Sequence, residues 1–221
     1  MERKKRDKRL EQDETSHPRL SILSYALILL LLVGALLLRL PYFSESLWYD
    51  EVCYTSIVLE GQNFESIVLY DVHPPLYPLL MRGWIELFGD SEVSIRLTSL
   101  IFGLLSIVLL FAMVRSWYGR ATAILAVVLV ALSAVHIWHS QEVKNNILLL
   151  LLTLLTIYAL DRAWNDNRNV SWVLFIGAAL AALSTNRFAL WIVLAAFAWL
   201  WLQVLRKRGS GRIRWALVSV S

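Results

Sequence analysis

Cysteine is almost missing from this chain of 221 residues: Cys53 stands alone, so no disulfide closes within it and no Cys-x-x-Cys pair exists. There is no phosphate-binding glycine loop and no Gly-x-Ser-x-Gly elbow, which removes those nucleotide-binding and serine-hydrolase readings. Charge is scarce, at 17% of residues against 58% hydrophobic ones. A soluble domain of this length carries more charge and less apolar surface. The formal net charge is +4, but the basic residues are spread along the sequence, so nucleic acid is not an expected partner. No internal repeat, low-complexity stretch or soluble domain stands out.

What is abundant is apolar sequence between sparse charges, with ten Trp, eight Tyr and eight Phe of the kind that gathers at membrane interfaces. Uncharged runs cover 20–38, 97–114, 121–135, 145–160, 170–186 and 188–205. A bilayer core takes roughly 17–25 residues of helix. The pattern predicts an all-α polytopic membrane protein with six spans, the third and fourth borrowing interfacial residues. A seventh span is expected to begin at Trp215. The first run is longer than the roughly 7–15 residues of a signal-peptide core, and Leu38-Arg39-Leu40-Pro41 offers no small-residue cleavage site, so a retained anchor is expected. The domain reading is a basic tail over 1–19, a first span over 20–38, a large loop over 39–95, five spans within 96–205, and a basic segment over 206–221 that leads into a further span.

With the amino terminus in the cytoplasm, segments 1–19, 115–120, 161–169 and 206–214 hold 16 of the 21 Lys and Arg. That bias fixes the orientation. Basic clusters such as Arg3-Lys4-Lys5-Arg6 read as topogenic and lipid-facing, which makes membrane lipids the first expected partner. The opposite side collects ten of the 17 acids and His73, His136 and His139. In the loop 39–95, Leu47 to Leu59 and Pro75 to Phe88 place apolar residues at helical intervals and read as short interfacial helices. Pro74-Pro75 suits the start of the second and Gly89-Asp90 its end.

Four polar groups on that side are candidates for chemistry. Asp50-Glu51 is an adjacent carboxylate pair in which one member can serve as a general base while the other tunes it or holds a metal; a pair of plain helix caps is the alternative. In Asp71-Val72-His73-Pro74-Pro75 the prolines restrict the backbone, and residues two apart on an extended segment point the same way. Asp71 and His73 are therefore candidates for a divalent cation or a phosphate-bearing ligand, or else the cap of a rigid turn. His136 to Lys144 gathers His139, Gln141, Glu142 and Lys144 at the external end of the third span, where a polar interfacial loop is also expected. Ser184-Thr185-Asn186-Arg187 adds a guanidinium suited to a phosphate, or a snorkelling arginine. Cys53 reads as a packing residue.

In order, Leu47-Trp48-Tyr49-Asp50-Glu51, Asp71-Val72-His73-Pro74-Pro75-Leu76-Tyr77, Phe88-Gly89-Asp90-Ser91-Glu92, Ile95-Arg96-Leu97, Tyr118-Gly119-Arg120 and His136-Ile137-Trp138-His139-Ser140-Gln141-Glu142 resemble the amino-terminal part of a bacterial glycosyltransferase. The similar family is the dolichyl-phosphate-mannose protein mannosyltransferase-like superfamily, of the GT-C fold and related to family 39. The resemblance runs from about residue 20 to the end. It implies a GT-C-like transmembrane bundle in the plasma membrane. It implies transfer of a sugar from a polyprenyl-phosphate carrier to a lipid, glycan or protein acceptor outside the cytoplasm. Carried over, Asp50 is the general base and Glu51 its partner, while Asp71, His73 and Glu142 are accessory. Lys144 and Arg187, with His139 and Gln141, are candidates for holding substrate or carrier phosphate. A divalent cation is an open expectation, with Glu51, Asp71 and His73 as its candidate ligands.

Two motifs depart from the family pattern. Relatives carry Ser-Gln-Glu-Ala-Arg where this chain has Ser140-Gln141-Glu142-Val143-Lys144, and a Thr-His-aromatic turn where it has Thr185-Asn186-Arg187-Phe188. Such enzymes are longer, so a front portion of one is expected. A catalytically silent remnant or partner subunit is the alternative. A carrier flippase or transporter predicts ionisable residues in mid-membrane, and the runs here are clean of them.

Overall fold

A computed structural model describes residues 18–41, 45–60 and 74–206, and a serine and a glycine delimit the longest helix among them. The Ser91 side chain accepts the Ser94 N–H at 3.3 Å, an N-cap, and Glu92 in the first turn and Arg115 in the last complement the helix dipole. Gly119 ends the helix at φ 88°, a conformation that L side chains resist. Between these signals Glu92–Tyr118 runs 27 residues, roughly 40 Å at 1.5 Å per residue.

In chain order the elements are α1 (Pro18–Leu37), α2 (Tyr49–Glu60), α3 (Leu76–Phe88), α4 (Glu92–Tyr118), α5 (Arg120–Ala131), α6 (Ala134–Gln141), α7 (Asn146–Asp166), α8 (Asn169–Leu183) and α9 (Ala189–Arg206). Every regular element among the described residues is a helix. Large apolar side chains face outward, including Leu125, Leu129 and Leu132 on α5, Val173 and Leu180 on α8, and Trp191, Phe197 and Trp201 on α9. That surface suits lipid and not water. The chain is an all-α membrane protein.

Helix length and composition among the described residues bear on only part of the six expected spans. Among the described residues, α4 and α7 are long and apolar enough to cross a membrane, and a third span exists if α5 and α6 are taken together. That pair is bent by 62°. Of the other apolar helices, α1 has 20 residues, α9 has 18 and α8 has 15. The 15 residues of α8 reach roughly 22 Å, less than a hydrocarbon core of about 30 Å. One uncharged run contains a turn. At 132–133 the Ser133 hydroxyl accepts the His136 N–H at 3.4 Å and starts a new helix inside the expected third span.

Helix α4 is the central post. Ile107 joins Ala35 of α1 and Val127 and Ala131 of α5 in one core. Ile95, nearer its start, packs with Val58 of α2, Tyr77 and Met81 of α3, Val143 of the loop after α6 and Leu148 of α7. A third core ties Ala159 and Leu160 of α7 to Phe175 of α8 and Ala196 of α9. The Ile95 core matters most here, because it seats the short helices α2 and α3 against the bundle.

One buried polar cluster fixes the bend between α5 and α6. Arg39 is fully buried; its Nη1 donates to Ala35 O at 2.6 Å and Ala131 O at 3.4 Å, near the C-terminal ends of α1 and α5. Helix C-termini favour a cation. Its Nη2 lies 2.8 Å from His136 Nδ1, and a guanidinium has no acceptor, so Nδ1 accepts. His136 Nε2 then donates to Ser106 Oγ at 2.9 Å, which donates to Gly103 O at 2.7 Å. Gln141 Nε2 closes the cluster on Arg39 O at 3.0 Å. Gly103 allows α6 to approach: a Cβ there would stand 2.9 Å from Ser140 Cβ.

Candidate active site

Consecutive residues on a helix point about 100° apart, and α2 uses this to separate its two carboxylates. Glu51 turns inward and is 2% exposed; Asp50 turns outward with its side chain 63% exposed. They therefore face different environments despite their adjacency.

Glu51 is held from three sides. Its Oε2 accepts the Trp48 N–H at 3.0 Å, the reach-back contact of an N3 glutamate to the start of its own helix. The same oxygen pairs with Arg96 Nη2 at 2.9 Å, and Oε1 accepts the Val143 N–H at 2.8 Å. Arg96 comes from the first turn of α4 and also donates to the Glu45 and Ser46 carbonyls. One buried carboxylate thus joins the start of α2, the start of α4 and the loop after α6. A carboxylate so occupied is an anchor for the surrounding backbone.

Asp50 sits near the positive end of α2, which favours its charge. Its Oδ2 accepts from Lys144 Nζ at 2.7 Å, and Nζ also pairs with Glu142 Oε1 at 2.9 Å. Burial alone would push the Lys144 ammonium down; hydrogen bonds to Asp50 and Glu142 and the charges of both carboxylates outweigh it and raise its pKa above 10.5. Glu142 Oε2 lies 3.2 Å from His139 Nδ1. Asp50, Lys144, Glu142 and His139 therefore form one chain of contacts along the loop between α6 and α7.

These groups line an open cavity of about 470 Å³. Its walls include Trp48 and Trp138, with ring centroids 6.3 Å apart, and its polar lining includes Glu45, Asp50, Glu51, Arg96, Gln141, Glu142 and Lys144. Two aromatic faces beside a carboxylate and an ammonium suit a polar ligand with apolar ring faces.

Of the expected site residues, Asp50, Glu51, Gln141, Glu142 and Lys144 meet in this cavity. His139 touches it through Glu142. Arg187 is exposed in the turn between α8 and α9 and does not line the cavity. That turn is nonetheless fastened to the site's surroundings: Leu76 N donates to Ser184 O at 2.8 Å, and Asn145 Nδ2 to Thr185 O at 2.9 Å. Asp71 and His73 lie outside the described residues. Among the described residues no group of three or more His, Cys, Asp or Glu side chains is placed to hold a metal ion. Glu51, the remaining candidate ligand, has both oxygens engaged by N–H donors.

Sequence reasoning passed over Arg96 and the two tryptophans. Arg96 stood within the family-like motif Ile95-Arg96-Leu97 with no role given to it. The available signal was its position: a charge in the first turn of a membrane helix needs a partner, and the acids of the preceding loop supply one.

Among curated proteins and among solved structures, none matches this chain. A family model does match, over residues 72–221, a range that takes in the Gln141–Lys144 wall and α4 and follows the Asp50-Glu51 pair. The chain belongs to the dolichyl-phosphate-mannose-protein mannosyltransferase family, and it is accordingly a membrane glycosyltransferase of the GT-C type.

Proposed function

We propose that the cavity transfers a sugar from a polyprenyl-phosphate carrier to a hydroxyl-bearing acceptor at the external face of the plasma membrane. The observation that carries this reading is the pairing of Asp50 and Lys144 across 2.7 Å in a cavity walled by Trp48 and Trp138. An inverting displacement needs both charges. Asp50 accepts the proton of the acceptor hydroxyl as its oxygen attacks the anomeric carbon. The bond from that carbon to the carrier phosphate breaks, and the electron pair leaves with the phosphate oxygen. Lys144 faces the developing charge there, and no proton need be delivered to a phosphate that is already a good leaving group.

The other groups position these two. Glu142 holds Lys144 from its far side. Glu51 and Arg96 fix the start of α2 and so the direction of Asp50. Trp48 and Trp138 offer faces for the sugar ring. The interfacial placement of α2 and α3 would let a lipid carrier present its phosphate without leaving the bilayer.

The test is to reconstitute the purified chain in proteoliposomes with radiolabelled polyprenyl-phosphate hexoses and membrane acceptors. Release of polyprenyl phosphate with label appearing in an acceptor supports the reading. Intact donor across a panel of hexoses and pentoses, in protein that remains folded, contradicts it.

A further inference from the structure

Lys144 is bonded to the very group that the reaction needs free. Its Nζ stands 2.7 Å from Asp50 Oδ2, so one of the two oxygens of the proposed base already accepts a charged hydrogen bond. The other contact of Nζ, to Glu142 Oε1 at 2.9 Å, belongs to a carboxylate that is well covered, whereas Asp50 is open to the cavity. The two contacts thus differ in burial, with the Asp50 side chain 63% exposed and that of Glu142 15%. Glu142 is further steadied by His139, and its backbone carbonyl accepts from Ser99 Oγ of α4 at 2.7 Å.

From this geometry we infer that Lys144 is a two-position cation: it ties Asp50 in the empty cavity and moves to the phosphate group of a bound ligand, which frees Asp50. The inference rests on the glycosyl-transfer reading for its purpose, but the exchange itself is a binding event. An exposed ion pair contributes little, because water screens it, so an incoming phosphate displaces Asp50 at small cost. A lysine suits such an exchange. Its ammonium has three donors on a flexible four-carbon stem, where arginine presents a planar fork that fixes one geometry. Glu142 is the pivot that keeps Nζ in the cavity in both positions. No covalent bond changes, and the proton of Lys144 stays on nitrogen throughout.

The exchange predicts that removing Asp50 tightens phosphate binding, because a competitor for Lys144 is gone. The probes are polyprenyl monophosphate in phosphatidylcholine nanodiscs and, separately, inorganic phosphate, each titrated against wild type, Asp50→Asn, Lys144→Met and the double variant with no sugar donor present. Asp50→Asn should bind about twofold to fivefold tighter than wild type, the factor set by the loss of one weak ion pair. Lys144→Met should bind about tenfold weaker, Lys144→Arg should restore binding, and Asp50→Asn should bring no gain in the Lys144→Met background. This pattern with either probe supports the exchange. Inorganic phosphate showing it means that the headgroup alone suffices; only the polyprenyl probe showing it means that the chain contributes. Unchanged or weaker binding by Asp50→Asn overturns the inference. So does an equal gain with and without Lys144, which would be the removal of a negative charge and nothing more. Because no sugar is transferred in these titrations, absent transferase activity leaves their outcome readable.

Discussion

Replacing Glu51 by Gln should damage the fold, and replacing its neighbour Asp50 by Asn should not. The Glu51 carboxylate receives Trp48 N–H, Val143 N–H and Arg96 Nη2 within 2.8 to 3.0 Å. An amide offers one acceptor oxygen, and its NH2 would face a donor. The buried Arg96 guanidinium would also lose its counter-charge, although the Glu45 and Ser46 carbonyls remain to it. Breaking a buried pair by removing one partner costs about 3–5 kcal/mol, and those carbonyls place this case at the lower end. For a chain of this size about 3 kcal/mol corresponds to a fall of roughly 6–12 °C in midpoint. The exposed Asp50 pair falls within about 0.2–1 kcal/mol, or no more than roughly 4 °C. Thermal unfolding in one detergent, followed by the monodisperse fraction, measures both. A double variant, Glu51→Gln with Arg96→Met, should recover part of the loss, since the orphaned charge is removed with its partner. The reasoning is refuted if Glu51→Gln unfolds within about 2 °C of wild type while transfer is lost. Glu51 would then belong to the chemistry and not to the frame.

Other consequences follow from the same geometry. Gly103→Ala should lower the midpoint, by about 1–3 kcal/mol in stability, because its Cβ would crowd Ser140 on α6 and an overpacked contact must shift a helix; an unchanged midpoint would show that α6 gives way freely. Arg39→Met should relax the α5–α6 bend, detected as faster proteolysis between 131 and 145 in nanodiscs, since Arg39 hydrogen-bonds Ala35, Ala131 and His136 together. The Lys144 pKa is raised, so its ion pairs are complete below about 10.5 and are lost as pH climbs through the higher folded value. Phosphate binding should accordingly stay flat from about pH 8.5, above the second ionisation of the phosphate itself, to about pH 10; a decline centred below pH 10 would contradict the bridged ammonium.

The helical class of the protein and the cavity's main charges were legible in the sequence, for a physical reason. Charge is so costly in a bilayer that apolar runs and the acids between them announce themselves without tertiary information. The division of labour between Asp50 and Glu51 was not legible. It depends on which side of α2 faces α4, and a dipeptide carries no record of that. Arg96 was hidden likewise, because its partner lies 45 residues earlier in the chain. The break at Ser133 was nearer to view: a Ser between apolar stretches is a helix-start signal, but a count of uncharged residues runs through it. Arg187 was a fair candidate by charge alone, but it is not among the residues that line the cavity.

The most direct measurement is the rate of sugar transfer by Asp50→Asn in proteoliposomes, taken with donor binding on the same sample. Asn keeps the size of the side chain and its exposed position but cannot take the acceptor proton. The account predicts a loss of transfer of at least about a hundredfold, the usual contribution of a positioned base, with donor still bound and the fold intact. Transfer at the wild-type rate would contradict the assignment of Asp50, and with it the reading of this cavity as the place where the glycosidic bond forms.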